Sequence, residues 1–208
     1  MTSASEEIDR SDVAQRHALR DVLIPAVERM LAGGTTYPEI TVSQLTDEAG
    51  ISRWRFYRHF RDKHDLLRAW FEQLNAQFES DHDAWLHIEG TPPFAELRAA
   101  IASLFVPYGP HSALHGAMYD SASADPVIAE ELEVTERRRI ASLRAHIERG
   151  QRGGWIDSVL LPQETAEWII LTGSRSYQRM VVHGQVPVDR FVDVFSDYAW
   201  RVLYEPAR

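Results

Sequence analysis

The chain contains no cysteine, which excludes disulfides, thiol nucleophiles and thiolate metal sites and fits a reducing compartment. Lysine is nearly as scarce: Lys63 is the single one, and arginine supplies the rest of the permanent positive charge. No apolar run approaches the ~18 residues of a membrane-spanning helix. The opening MTSASEEIDR is polar and acidic, without the cationic start and apolar centre of a signal peptide. A cytoplasmic protein is therefore expected. Strand-like alternation, internal repeats and low-complexity segments are also lacking. Neither a Ser-His-Asp arrangement nor a glycine-rich phosphate loop is recognisable, so no enzyme and no cofactor are expected. His111 and His115 are four apart, and His82, Asp83 and His87 are near one another. Without an HExxH-type partner these pairs do not make a zinc site, and no metal is expected.

What the chain does have is acid, with 31 Asp and Glu against 22 Lys and Arg, a net charge of −9. Such a chain does not coat nucleic acid non-specifically; any contact must be one localised surface. Residues 51–68 stand out against this background. Arg53, Arg55, Arg58, Arg61, Lys63 and Arg68 oppose only Asp62 and Asp65, a net of +4 that leaves −13 for the remainder.

That basic segment lies in TVSQLTDEAGISRWRFYRHFRDK, Thr41 to Lys63. Thr41 and Gln44 form a capping box for a first short helix, with Ile40 and Leu45 placed as its hydrophobic staple. Gly50 ends it, where a residue without a β-carbon enters the left-handed region cheaply. Ser52 caps a second helix through Phe60, and Asp62 caps a third. This is the spacing of a helix-turn-helix. Phe56 and Phe60, one turn apart, face the core with Leu45 and Ile51, leaving Arg53, Trp54, Arg55, Tyr57, Arg58 and His59 outside. On periodicity alone the segment is a solvated charged helix in a small bundle. Cap, turn, aromatic-basic face and following lysine together point to DNA, with arginine able to read guanine O6 and N7.

The segment resembles the DNA-binding domain of tetracycline-repressor-family (TetR-like) transcription regulators. The resemblance is carried by Thr41, Ala49-Gly50-Ile51-Ser52, Phe56-Tyr57-Arg58-His59-Phe60 and Asp62-Lys63-His64-Asp65-Leu66-Leu67. Thr46, polar, and Trp54, bulky, depart from the pattern. The resemblance implies that Thr41, Tyr57, His59 and Lys63 contact the DNA backbone and that Arg53, Trp54 and Arg55 face the bases. Ser43, Ser52 and Arg58 complete the candidate DNA-binding set. It also implies a palindromic double-stranded operator, a small-molecule inducer bound in the body, and a homodimer.

Taken in order, residues 1–10 read as a disordered arm, 11–68 as the helix-turn-helix domain and 69–208 as a helical ligand-binding and dimerisation body. The expected fold is all-α with about nine helices. The first helix ends at Gly33-Gly34 and is kinked or interrupted at Pro25. A long helix from Lys63 towards His87 joins head to body. Thr91 caps the next helix, with Pro92 at its first position. Asp125-Pro126 opens a charged helix through Glu148, closed by Gly150 and Gly153-Gly154. Two helices, about 163–182 and 188–203, finish the chain.

Trp70, Leu74, Phe78, Leu97, Ile101, Phe105, Met118, Tyr119, Leu143 and Trp168 are candidates to line a ligand cavity, though each by itself also suits plain core packing. Val188, Phe191, Phe195, Tyr198 and Val202 form a stripe on the last helix that reads as a dimer interface. Two functions remain open. One is a homodimeric DNA-binding regulator, a repressor released by a small lipophilic or aromatic ligand. The alternative is a helical small-molecule sensor or protein-interaction module whose head no longer regulates transcription.

Overall fold

The computed structural model describes residues 2–81, 83–184 and 186–205, with side chains left aside at 2–10, 76–81 and 83. Every regular element among the described residues is helical, so the chain is all-α. In order these are α1 (Thr2–Ala32), α2 (Val42–Glu48), α3 (Arg53–His59), α4 (Lys63–Asp81) and α5 (Asp83–Leu86). They continue with α6 (Phe94–Phe105), α7 (Ser112–Ala122), α8 (Pro126–Gly153), α9 (Pro162–Tyr177) and α10 (Val188–Leu203). Short 3-10 turns occupy Tyr37–Glu39 and Val106–His111, and a π turn occupies Gln178–Val182. No described helix is long and apolar enough to cross a membrane. The chain forms two compact units, Met1–Leu74 with Ala113–Ile128 and Asn75–Ser112 with Ala129–Arg208. The expected boundary after Arg68 thus falls inside α4, and most of α7, expected in the body, groups with the first unit.

In the first unit α1 begins at Thr2, so the stretch expected as a disordered arm is helical from its second residue. Nor does Pro25 interrupt α1. It lies on the exposed side, where water can satisfy the carbonyl left without its usual amide donor. Leu19, Leu23 and Val27 of α1 are buried, as are Leu45 of α2 and Phe56 of α3. The buried carboxylate of Asp65 on α4 accepts from Arg16 Nη2 at 2.9 Å, Arg68 Nη2 at 3.3 Å and the Arg61 backbone amide at 3.0 Å. Several donors on one carboxylate are what keep such a charge tolerable away from water.

In the second unit α6 and α10 pack along each other. Phe105 meets Phe191 edge-on at 4.8 Å and Phe195 at 5.5 Å, and Phe191 stacks on Phe195 at 5.7 Å. This overturns part of the expected dimer surface. Phe191 and Phe195 are 2% and 5% exposed, and they belong to the core of their own chain. Val188, Tyr198 and Val202 are half-buried. Helical periodicity shows which face of α10 is apolar, not which neighbour covers it; α6 does so within the chain.

Two boundaries also differ from expectation. Thr91 is not the cap of α6, which starts at Phe94 with Pro93 as its N-cap. Pro92 precedes another proline and is thereby driven towards extended backbone, which delays the helix. Gly150 does not close α8, which continues to Gly153, with Gly154 beyond it at φ 74°. Gly150 is small for packing instead, since a Cβ there would lie 2.6 Å from the Ile156 side chain.

Candidate functional site

The basic surface is built by short-range bonds. The Thr41 hydroxyl accepts the Gln44 amide at 3.2 Å, and the Thr41 amide donates to Gln44 Oε1 at 3.0 Å, so both halves of the capping box form. Ile40 and Leu45, the expected staple pair, are both buried. Gly50 turns the chain at φ 67°, a conformation costly for any residue with a side chain. The Ser52 hydroxyl then caps α3 through the Arg55 amide at 3.2 Å, and Asp62 caps α4 through the Asp65 amide at 2.8 Å. Thr46 is fully buried, and its hydroxyl donates to the carbonyls of Val42 and Ser43 at 2.9 and 3.0 Å, which is how α2 tolerates a polar residue there.

These constraints fix one face of α3 outward. Phe56 and Phe60 point into the core with ring centroids 5.6 Å apart. Ser52, Arg53, Trp54, Arg55, Tyr57 and Arg58 are exposed, as is Thr41, while His59 and Ser43 are half-buried. Trp54 is 70% exposed, with the Arg58 guanidinium over its ring at 5.6 Å. Among the described residues no carboxylate forms an ion pair with Arg53, Arg55 or Arg58. An open row of guanidinium groups around a solvated aromatic has the chemistry for phosphate oxygens and base edges.

The Lys63 ammonium donates to the carbonyls of Tyr37, Pro38 and Ile40 at 2.8, 2.7 and 2.8 Å, and it lies over the Tyr37 ring at 5.3 Å. The Tyr37 hydroxyl returns a hydrogen bond to the Lys63 carbonyl. All three ammonium protons are thus spent on the segment before α2, and partial burial pulls the lysine pKa below its usual value. Lys63 thus clasps the segment leading into α2 to the start of α4.

The second unit holds a cavity of about 50 Å³. Trp85, Leu104, Phe105, Ile170 and Phe195 give it apolar walls, and Tyr108, Ser174 and Arg139 add polar groups. Of the residues expected to line a ligand cavity, Phe105 is at this one. Leu97, Ile101 and Leu143 are buried in the second unit without lining it, and Trp70, Leu74 and Met118 are buried in the first unit. Tyr119 is half-buried in the first unit, with its ring 5.2 Å from that of His115. The Phe78 side chain lies outside the described residues. Trp168 is 70% exposed and cannot line a cavity. Trp85, Tyr108 and Arg139 carried no sequence signal, because their convergence depends on packing between helices far apart in the chain.

Comparison with known proteins agrees with this geometry. A sequence model for "Bacterial regulatory proteins, tetR family" matches residues 29–70, which contain both α2 and α3. The HTH-type transcriptional regulator EthR of Mycolicibacterium smegmatis is 28% identical over 142 residues, covering 67% of this chain and 65% of EthR. Residues 29–70 are thus similar to the DNA-binding segment of TetR-family regulators. The chain spans under two thirds of the length of EthR. Its TetR-like fold extends beyond the head. A TetR transcription regulator from Haloarcula marismortui superposes with a TM-score of 0.71 at 19% identity, over 93% of this chain and all of that one. FadR from Bacillus subtilis, solved in complex with stearoyl-CoA, superposes with a TM-score of 0.67 at 16% identity, over 88% of this chain and 98% of FadR.

Proposed function

We propose that this TetR-like chain is a homodimeric, sequence-specific repressor that leaves its operator when a small lipophilic or aromatic ligand occupies the body. The observation that carries the reading is the outward face of α3, where Arg53, Arg55 and Arg58 have no carboxylate partner among the described residues and flank exposed Trp54 and Tyr57. Arg53, Trp54 and Arg55 read base edges; Thr41, Ser43, Ser52, Tyr57, Arg58 and His59 hold the backbone. Residues 11–68 act as the DNA-binding domain and 69–208 as the ligand and dimer domain, working in the cytoplasm. That FadR, similar in fold, was solved in complex with stearoyl-CoA supports a lipophilic ligand for this chain.

For the dimer, the side chains available to a partner are Trp168 and Leu171 on α9 and Val194 on α10, all exposed on the single chain. Burying large apolar groups such as these contributes roughly 1.5–3 kcal/mol for each that is fully covered. Two heads related by a twofold axis suit two half-sites of a palindrome. The test is selection from random duplexes, followed by titration of the selected and scrambled sequences at several salt concentrations. A regulator binds the selected palindrome with one dimer and at least ~10³-fold preference. Equal affinity for both duplexes would overturn the reading and favour an interaction module.

A further inference from the structure

The cavity of the second unit is chemically lopsided. Its walls are largely aromatic and aliphatic, and a single ion, Arg139, stands among the lining residues. Arg139 is half-buried in the middle of α8. Its Nη2 donates to the Tyr108 hydroxyl at 3.0 Å and to Asn75 Oδ1 at 3.5 Å. Both partners are neutral. Other arginines of α8 are paired along the helix, Arg137 with Glu133 and Arg144 with Glu148. For Arg139 no such carboxylate exists among the described residues, and its Nε and Nη1 make no hydrogen bond there. Glu136, one turn earlier, does not fill the role: burial pushes its carboxyl above the usual range, and Arg175 opposes that push more than Arg139 does.

A half-buried guanidinium beside aromatic rings, with part of its donor fork uncommitted and open to solvent, can receive an anion at the cavity. The fork matches a carboxylate, which can take two parallel hydrogen bonds from it. The phenol of Tyr108 holds the guanidinium in place for that purpose. We infer that the cavity takes a small amphipathic carboxylate, with its ring or short hydrocarbon body against Trp85, Phe105 and Phe195 and its carboxylate on Arg139. The volume of about 50 Å³ restricts the body to one ring or a short chain, and side chains at the wall must yield to admit even that. The inference rests on the proposed role of the body as the ligand-binding part.

Calorimetric titration of the full-length protein with phenylacetate and with its neutral isostere phenylacetamide tests it. The expected result is roughly 10- to 100-fold tighter binding of the carboxylate, the value of one charge-assisted contact. In Arg139→Gln that preference disappears while the amide binds as before. Equal binding of the two compounds by the wild type overturns the carboxylate assignment, as does a preference that survives Arg139→Gln. Should Arg139→Gln fail to fold, crystals of the wild type with 4-iodophenylacetate decide by position. The iodine must lie among the rings with the carboxylate on Arg139; any other site overturns the inference. Binding of neutral lipophilic compounds without phenylacetate would sink the ligand class and leave the effector-binding body standing. Binding of neither class would remove both.

Discussion

α3 and α10 are both two-faced helices, and they use their faces in opposite ways. α10 turns Phe191, Phe195 and Leu203 inward, and one of its two outer arginines, Arg201, is neutralised by Asp197 at 2.9 Å and Glu205 at 3.7 Å. α3 buries Phe56 and leaves its arginines and Trp54 to solvent, with no carboxylate paired to them among the described residues. A self-neutralised surface has little left to attract a charged partner, whereas an unpaired one is electrostatically unfinished. Charge pairing, more than charge content, separates the structural helix from the functional one.

Breaking the structural helix gives the largest effect. Phe195→Glu removes a ring from the aromatic cluster and puts a carboxylate in its place among Phe105, Phe191 and Trp85. Loss of the ring alone costs about 3–5 kcal/mol, and the buried charge adds to it. The second unit should unfold at ordinary temperature, seen as loss of the near-ultraviolet dichroism of its aromatics. Trp54→Ala on α3 should shift stability by less than about 0.5 kcal/mol while weakening operator binding. A soluble, folded Phe195→Glu monomer would instead return Phe195 to the dimer surface.

The next effect in size is a pH dependence confined to the second unit. His146 is fully buried; one ring nitrogen is 2.7 Å from the Tyr204 hydroxyl and the other 3.1 Å from the Leu86 carbonyl. Trp85 Nε1 also donates to that hydroxyl at 3.2 Å, so the Tyr204 proton is directed to the imidazole, which stays neutral. Burial lowers the His146 pKa from 6.5 to about 4. The folded state therefore binds fewer protons than the unfolded one between these values. The stabilisation is complete above pH 6.5 and is lost as the pH falls through about 4, a swing of about 3 kcal/mol. Denaturant titrations of wild type and His146→Gln across this window should diverge by that slope. Parallel curves would show that His146 does not titrate on unfolding.

On α3 the comparison is sharpened by Arg55→Ala. The lost side chain has no partner among the described residues, so stability should hold, while discrimination at one base pair of each half-site falls by roughly 1–3 kcal/mol. A selection experiment returning an unchanged sequence preference would move Arg55 to the backbone-contacting group.

The head was the legible part because its instructions are local. Thr41 with Gln44, Gly50, Ser52 and Asp62 each act within four residues, and such signals survive in a bare sequence. The body was legible as helices but not as a site. The stripe on α10 was visible, yet its cover depends on α6, almost a hundred residues earlier, as the bond from Arg98 to Asp193 illustrates. Arg139 sits in a charged run and looks solvated until Tyr108 and Asn75 are brought to it. The bonds of Lys63 were hidden for a related reason: its partners are backbone carbonyls, which every residue has and no sequence pattern marks.

Lys63 also gives the smallest and most diagnostic prediction, since it lies beside the functional face yet is spent like a structural group. Lys63→Ala removes three charge-assisted hydrogen bonds from a partly exposed ammonium, for a loss of about 1–2 kcal/mol in stability of the first unit after water replaces some of them. Operator affinity should fall modestly, because the loop from Tyr37 to Ile40 no longer holds the start of α2. The dependence of affinity on salt should not change, because the ammonium does not neutralise a phosphate. A phosphate ligand would behave differently: its loss lowers the salt slope by roughly one per subunit and leaves the melting temperature nearly untouched. Melting curves and salt titrations on the one variant therefore give opposite answers for the two roles. A reduced slope with an unchanged melting temperature would mean that Lys63 leaves its carbonyls when DNA binds, and would put it with the unpaired arginines of α3.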